Sequence, residues 1–241
     1  MSRDQVYATP LPQVVDFTFN EAVADVFPDM IRRSVPGYET ILTLLAVMGQ
    51  EFIQPHTHVY DLGCSLGAAT LALASRTQAQ QVQFVGVDNS PAMVTRCEKV
   101  LQRHLPRQPV QVLCADIRQL TFKPASVIVL NFTLQFLPPQ DRLILLERLY
   151  QALVPKGVLI LSEKLQFAAS DEQAFLTNLY MAFKRANGYS ELEISQKRNA
   201  LEHVLIPDTR DQHIERLKNI GFKQVYQWFQ CLSFSSFIAV K

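Results

Sequence analysis

Two short apolar runs in this chain end in residues that could hold a nucleoside. Val59-Tyr60-Asp61-Leu62 runs into Gly63-Cys64-Ser65-Leu66-Gly67, and Val82-Gln83-Phe84-Val85-Gly86-Val87 runs into Asp88-Asn89. A strand, a glycine turn, a helix and a second strand ending in an acid make a nucleoside-binding half-site. The carboxylate of Asp88 is placed to accept hydrogen bonds from both ribose hydroxyls, with Asn89 assisting. The loop lacks the G-x-G-x-x-G spacing of pyrophosphate binders. Without a Cβ, Gly63 and Gly67 let a ligand approach the backbone. A bare strand-to-helix turn would carry similar glycines, but it would not explain Asp88.

Two more strand ends extend the pattern. Asp116-Ile117 follows the run Val110–Cys114. A carboxylate there can take the amino group of a purine, and the next backbone N–H can reach a ring nitrogen while Ile117 packs on the ring face. A helix cap would explain Asp116 equally well; its place at a strand carboxyl end favours binding. Asn131 ends the fourth run, beside the reacting group in such a sheet. An amide there can hold a ligand but cannot act as a strong base. No Asn-Pro-Pro-Tyr or Asp-Pro-Pro-Tyr sequence follows it, which argues against methylation of an amino group. Arg198, like Arg32, Arg33 and Arg185, reads from its neighbours as part of a solvated charged face; any of them turned inward could grip a carboxylate in bidentate fashion. The five histidines show no metal-ligand spacing, and no Ser/His/Asp arrangement can be argued.

The elements that must position these residues alternate. Strands are expected at 58–62, 82–88, 110–114, 126–131 and 158–162, with helices between them, the second opened by Ser90-Pro91. That order predicts an α/β fold with a doubly wound, mostly parallel sheet. Ahead of it, Asn20 caps a helix expected to stop at Pro28, and a second helix follows Pro36-Gly37. Residues 1–55 would then form a helical lid over the nucleoside-binding core, 56–165. Residues 166–205 read as a helical insertion, with a capping box at Ser190 and Glu193. Asp208 or Thr209 caps a last helix that Gly221 closes, and two terminal strands follow, the final one expected at the sheet edge. One domain accounts for all 241 residues.

Composition narrows the function. Lys and Arg total 23 against 22 Asp and Glu, a net charge of +1, and no basic block exceeds two residues. That argues for a small-molecule substrate and against direct nucleic-acid binding. Four dispersed cysteines suggest neither zinc nor disulfides and suit a reducing cytoplasm. No apolar run is long enough for a membrane.

The loop Asp61–Gly67 resembles the first motif of class I S-adenosylmethionine (SAM) dependent enzymes. Longer stretches resemble one family, the carboxy-S-adenosyl-L-methionine synthases: Val26–Tyr38, Tyr60–Thr70, Asp88–Met93, Leu130–Leu137 and Phe183–Arg198. The resemblance covers nearly the whole chain and implies a seven-stranded SAM-methyltransferase-like sheet. It implies that SAM is a substrate whose methyl group is carboxylated, with prephenate as the carboxyl source, to give carboxy-SAM and phenylpyruvate. It implies no metal, a cytoplasmic homodimer, and a separate tRNA carboxymethyltransferase that uses the product at the wobble uridine. Cofactor contacts are implied at Tyr38, Gly63, Cys64, Ser65, Asp88, Asn89, Asp116, Ile117 and Asn131. Arg198 is given the new carboxylate, in its own or the partner subunit's site.

The chemistry is consistent with those residues. A sulfonium acidifies its methyl protons, and prephenate loses carboxylate as its ring becomes aromatic. Confinement, orientation and a cation are then the protein's contribution, and a neutral Asn131 suffices where no strong protein base is required. Two other readings stand beside this one: an ordinary SAM-dependent methyltransferase acting on a small molecule, and a non-catalytic SAM-binding subunit. Arg198 discriminates, because a methyl donor has no use for a cation beside its sulfonium.

Overall fold

Apolar residues alternate along the strands, and the computed structural model, which describes residues 2–241, buries both sets. The strands are β1 (His58–Leu62), β2 (Gln83–Asp88), β3 (Val110–Cys114), β4 (Ala125–Asn131), β5 (Leu153–Lys164), β6 (Gln224–Cys231) and β7 (Phe234–Val240). They form one sheet in the order β3-β2-β1-β4-β5-β7-β6, parallel from β3 to β5 and antiparallel beyond. Every residue of β4 from Ala125 to Leu130 is buried, as a central strand covered on both faces requires.

The helices are α1 (Glu21–Ser34), α2 (Tyr38–Phe52), α3 (Ala68–Arg76), α4 (Pro91–His104), α5 (Pro139–Ala152), α6 (Ser170–Ala186), α7 (Glu191–Leu201) and α8 (Arg210–Ile220). One face of the sheet packs Tyr60, Leu62, Ile128, Leu130, Leu159 and Leu161 against α5 and α8. The other packs Val59, Phe84, Val127, Val129, Val158 and Ile160 against α2 and α3. Burying each such side chain contributes about 1.5–3 kcal/mol, which conformational entropy largely offsets. Strand order reverses between β1 and β4, so a crevice opens at their carboxyl ends.

Three expectations are corrected. Helix α1 does not stop at Pro28 but runs through it to Ser34. Burial of Val23, Ala24, Val26 and Met30 on one face outweighs the hydrogen bond that proline removes. The strand expected at 158–162 is longer, β5 running from Leu153 to Lys164 and taking in Pro155-Lys156-Gly157, where the register against β4 shifts. The last strand is not the edge strand: β7 lies between β5 and β6, and β6 takes the edge. The sequence carries the reason, since β7 is buried from Phe234 to Ala239 while Gln224, Tyr226 and Gln230 of β6 are exposed.

The N-terminal segment is tied down. Buried Asp4 accepts from the Tyr189 hydroxyl at 2.6 Å and faces the Lys197 ammonium at 3.7 Å, and Phe17 N–H donates to the Ala200 carbonyl. Arg33 lies over the Tyr189 ring at 3.9 Å. This network fixes α7, and with it Arg198, against α1. The capping box at Ser190 and Glu193 forms, and Thr209 rather than Asp208 caps α8; Asp208 instead pairs with Arg142 and Arg216.

Candidate active site

Three carboxylates stand at the carboxyl ends of β1, β2 and β3, each with a different role. Asp61, 2 % exposed, accepts from the Thr70 N–H at 2.9 Å and its hydroxyl at 2.7 Å. It thereby caps α3, whose own N-cap is Gly67. Burial still pushes its pKa up to about 6. Asp88 ties the loop after β1 to the start of α4: one oxygen accepts from Ser65 N–H and the other from Ser90 N–H, both at 2.9 Å. Each oxygen retains a lone pair that a ligand hydroxyl can use, and burial raises its pKa. Asp116 is held by Arg118, whose Nη2 lies 2.6 Å from Oδ2 and which also reaches Asp141 at 2.7 Å. That pairing lowers the Asp116 pKa.

The glycine loop is locked to β2, with Gly63 and Cys64 both donating to the Val87 carbonyl. Gly63 and Gly67 have φ of 78° and 82°, and Ser65 shares that region at 51°. A Cβ on Gly63 would run into the Thr133 side chain, and one on Gly67 would lie 2.9 Å from Leu101 Cδ2. The glycines are therefore demanded by the turn and by packing inside the protein, in addition to any approach of a ligand. Cys64 is buried, its Sγ 3.9 Å from that of Cys97, and both are free thiols. Tyr38 opens α2 and is buried within reach of the Asp61 charge; burial, then that charge, raise the pKa of its hydroxyl. Ile117 is buried and Asn89 exposed.

Across the switch point the groups change. Asn131 ends β4 with Oδ1 buried and lacking a hydrogen-bond partner. An orphaned acceptor beside an acid-bordered loop suits the ammonium of an amino-acid ligand, so the residues present fit SAM. The next residue, Phe132, has φ of 63°, a strained backbone at the crevice. Lys164 ends β5. Arg198, in the last turn of α7, is exposed, yet close enough to lower the pKa of Lys164 and Lys184. Arg32, Arg33 and Arg185 lie elsewhere: Arg32 pairs with Glu39, Arg33 with Asp29 and Arg185 with Glu191. Sequence reasoning passed over Arg118, Lys164 and Lys184. A lysine just after the apolar run Val158–Leu161, at the carboxyl end of its strand, was the available signal for Lys164. Among the described residues no His, Cys, Asp or Glu cluster could hold a metal, and no helix is long and apolar enough to cross a membrane.

Residues 59–157 match a family model described as a methyltransferase domain. The magnesium protoporphyrin IX methyltransferase from Synechocystis PCC 6803 with bound SAH superposes with a TM-score of 0.62 at 16% identity, covering 88% of this chain and 87% of that one. Fold and loop thus define a SAM-methyltransferase-like α/β protein. The carboxy-S-adenosyl-L-methionine synthase of Pseudomonas syringae pv. tomato is 55% identical over 98% of both chains. That of Actinobacillus pleuropneumoniae serotype 5b is 51% identical over the full length of both. The chain belongs to the carboxy-S-adenosyl-L-methionine synthase family.

Proposed function

We propose that this protein converts SAM and prephenate to carboxy-SAM and phenylpyruvate. The observation that carries the reading is full-length similarity to synthases of that name, 55% over 98% of both chains for one. In the proposed reaction the SAM methyl carbon loses a proton and bonds to the carboxyl carbon released by prephenate. Prephenate also loses its ring hydroxyl as hydroxide, which takes that proton to form water, and aromatisation of the ring drives the exchange. Atoms and charge balance without a protein base, which agrees with an amide at position 131.

In this reading Asp88 and Asn89 hold the ribose, Asp116 and Ile117 the adenine, and Tyr38, Gly63, Cys64, Ser65 and Asn131 the amino-acid chain and sulfonium. Arg198 holds the new carboxylate. The first two helices cover the bound nucleoside, and the enzyme acts as a cytoplasmic homodimer whose product passes to a separate tRNA carboxymethyltransferase. The test is direct. Protein incubated with SAM and prephenate should yield phenylpyruvate and a SAM species heavier by one carbon dioxide. Appearance of SAH with prephenate untouched would instead establish a methyltransferase acting on a small molecule.

A further inference from the structure

Most buried cations of this protein have an obvious partner. Arg142 pairs with Asp208 at 2.8 Å, Arg33 with Asp29 at 3.0 Å, and Lys197 donates to Ser34 at 3.0 Å while facing Asp4. Two lysines break the rule. Lys184, in the last turn of α6, is 4 % exposed, and Lys164, at the end of β5, is partly buried. Their ammonium groups lie 4.6 and 5.2 Å from the centroid of one ring, Tyr180. Among the described residues no carboxylate pairs with either. The adjacent acid, Glu163, cannot help. It points to the opposite face of β5, with Leu159 and Leu161, and accepts from Leu134 N–H at 3.0 Å.

The pair joins the crevice through an aromatic wall. Tyr180 packs on Phe234 at 5.2 Å, and Phe234 on Phe132 at 5.9 Å. Phe132 follows Asn131, whose Oδ1 is the orphaned acceptor. The cations, the wall and the amide therefore line one continuous stretch of the sheet's carboxyl edge. Arg198 adds like charge, so the cluster repels itself while empty. Ring contacts soften that cost but do not neutralise the charge. Uncompensated buried charge of this kind is costly. An anion bound between the two ammonium groups would relieve it.

We propose that Lys164 and Lys184 form the subsite for a dicarboxylate co-substrate bearing an unsaturated ring, with Phe132, Phe234 and Tyr180 as the surface on which that ring lies. This rests on the reading above, which gives that co-substrate as prephenate, and it assigns Lys164 and Lys184 to prephenate's two carboxylates before the reaction, the ring carboxylate being the one that is transferred and then held by Arg198. A mono-anion satisfies only one ammonium, so phenylpyruvate leaves more readily than prephenate.

The experiment compares wild type, Lys164→Met, Lys184→Met and Lys184→Arg. The KM for prephenate should rise about ten- to a hundredfold in each Met variant, as expected for a lost charge-assisted contact. The dissociation constant for SAM should stay within about twofold, and Lys184→Arg should retain most of the affinity. A prephenate KM unchanged in both Met variants, or SAM weakened as much as prephenate, overturns the assignment. Should Lys184→Met fail to fold, Lys164→Met, at the more exposed member, decides alone. A wild type that leaves prephenate untouched overturns the functional reading and this inference with it. A wild type that consumes prephenate while the Met variants keep its KM overturns only the inference.

Discussion

From β3 to β5 the residues at the strand ends change character: Asp116 and Asp88 on one side of the switch point, Asn131 beside it, Lys164 on the other. The acidic side is finished from within. Backbone N–H groups of Ser65 and Ser90 hold Asp88, Arg118 holds Asp116, and Asp61 serves α3. The basic side is left open: among the described residues no carboxylate pairs with Lys164 or Lys184, whose ammonium groups only face the Tyr180 ring. A preformed acidic side suits a constant feature, an adenosyl group with two hydroxyls and a purine. An unfinished basic side suits the reacting partner, whose charge completes it on binding.

The largest expected effect breaks the acidic side. Gly63→Ala forces a Cβ into Thr133 at a positive φ, and should cost about 2–4 kcal/mol of stability. Thermal unfolding with and without SAM measures it; an unchanged midpoint would mean that the loop relaxes and that packing does not fix it. Next, Asp88→Ala should weaken SAM and carboxy-SAM by a similar factor, on the order of a hundredfold, because a ribose contact is common to both. Calorimetric titration with each ligand reads this. Unequal losses would show that Asp88 senses the reacting end and would erase the division between the two sides.

The acidic side was legible in the sequence and the basic side much less so, for a physical reason. A glycine turn and an acid after an apolar strand are local signals, set by backbone conformation within one strand–helix–strand unit, and β1, β2, β4 and α4 fall where periodicity places them. Lys164 and Lys184 come from different elements, joined only by the packing of α6 on the end of β7, which no local spacing encodes. Arg198 read as solvated, and it is exposed; what the sequence could not show is that it borders two other cations. The misplaced end of α1 and the misplaced edge strand have one origin. Tertiary burial of an apolar face overrode a proline in the first case and chain order in the second.

On the basic side, Arg198→Ala should weaken carboxy-SAM about tenfold or more and leave SAM within about twofold. Competitive binding of the two ligands to one preparation checks it. Equal losses would remove Arg198 from the new carboxylate and leave Lys164 and Lys184 as the cations next to consider.

The smallest effect is one of pH, and its sign separates the two sides again. Burial first, then the charges of Lys197, Lys164 and Arg198, push Lys184 from 10.5 down to about 7. Below that value it is charged and can bind an anion; above it the charge is lost, so affinity for prephenate should fall, by about tenfold from pH 6 to pH 8. Stability moves the other way. The unfolded chain keeps the lysine proton up to about 10.5 and the folded chain releases it near 7, so this group's penalty is full below pH 7 and is relieved as pH rises between those values. SAM affinity should not follow this decline, because in the proposed reading Asp88, and not Lys184, holds the ribose. Measured as kcat/KM for prephenate against pH, the decline should vanish in Lys184→Arg, whose guanidinium does not titrate. A decline that persists in that variant would place the titrating group elsewhere, Lys164 being the next cation of the cluster whose pKa burial and Arg198 lower.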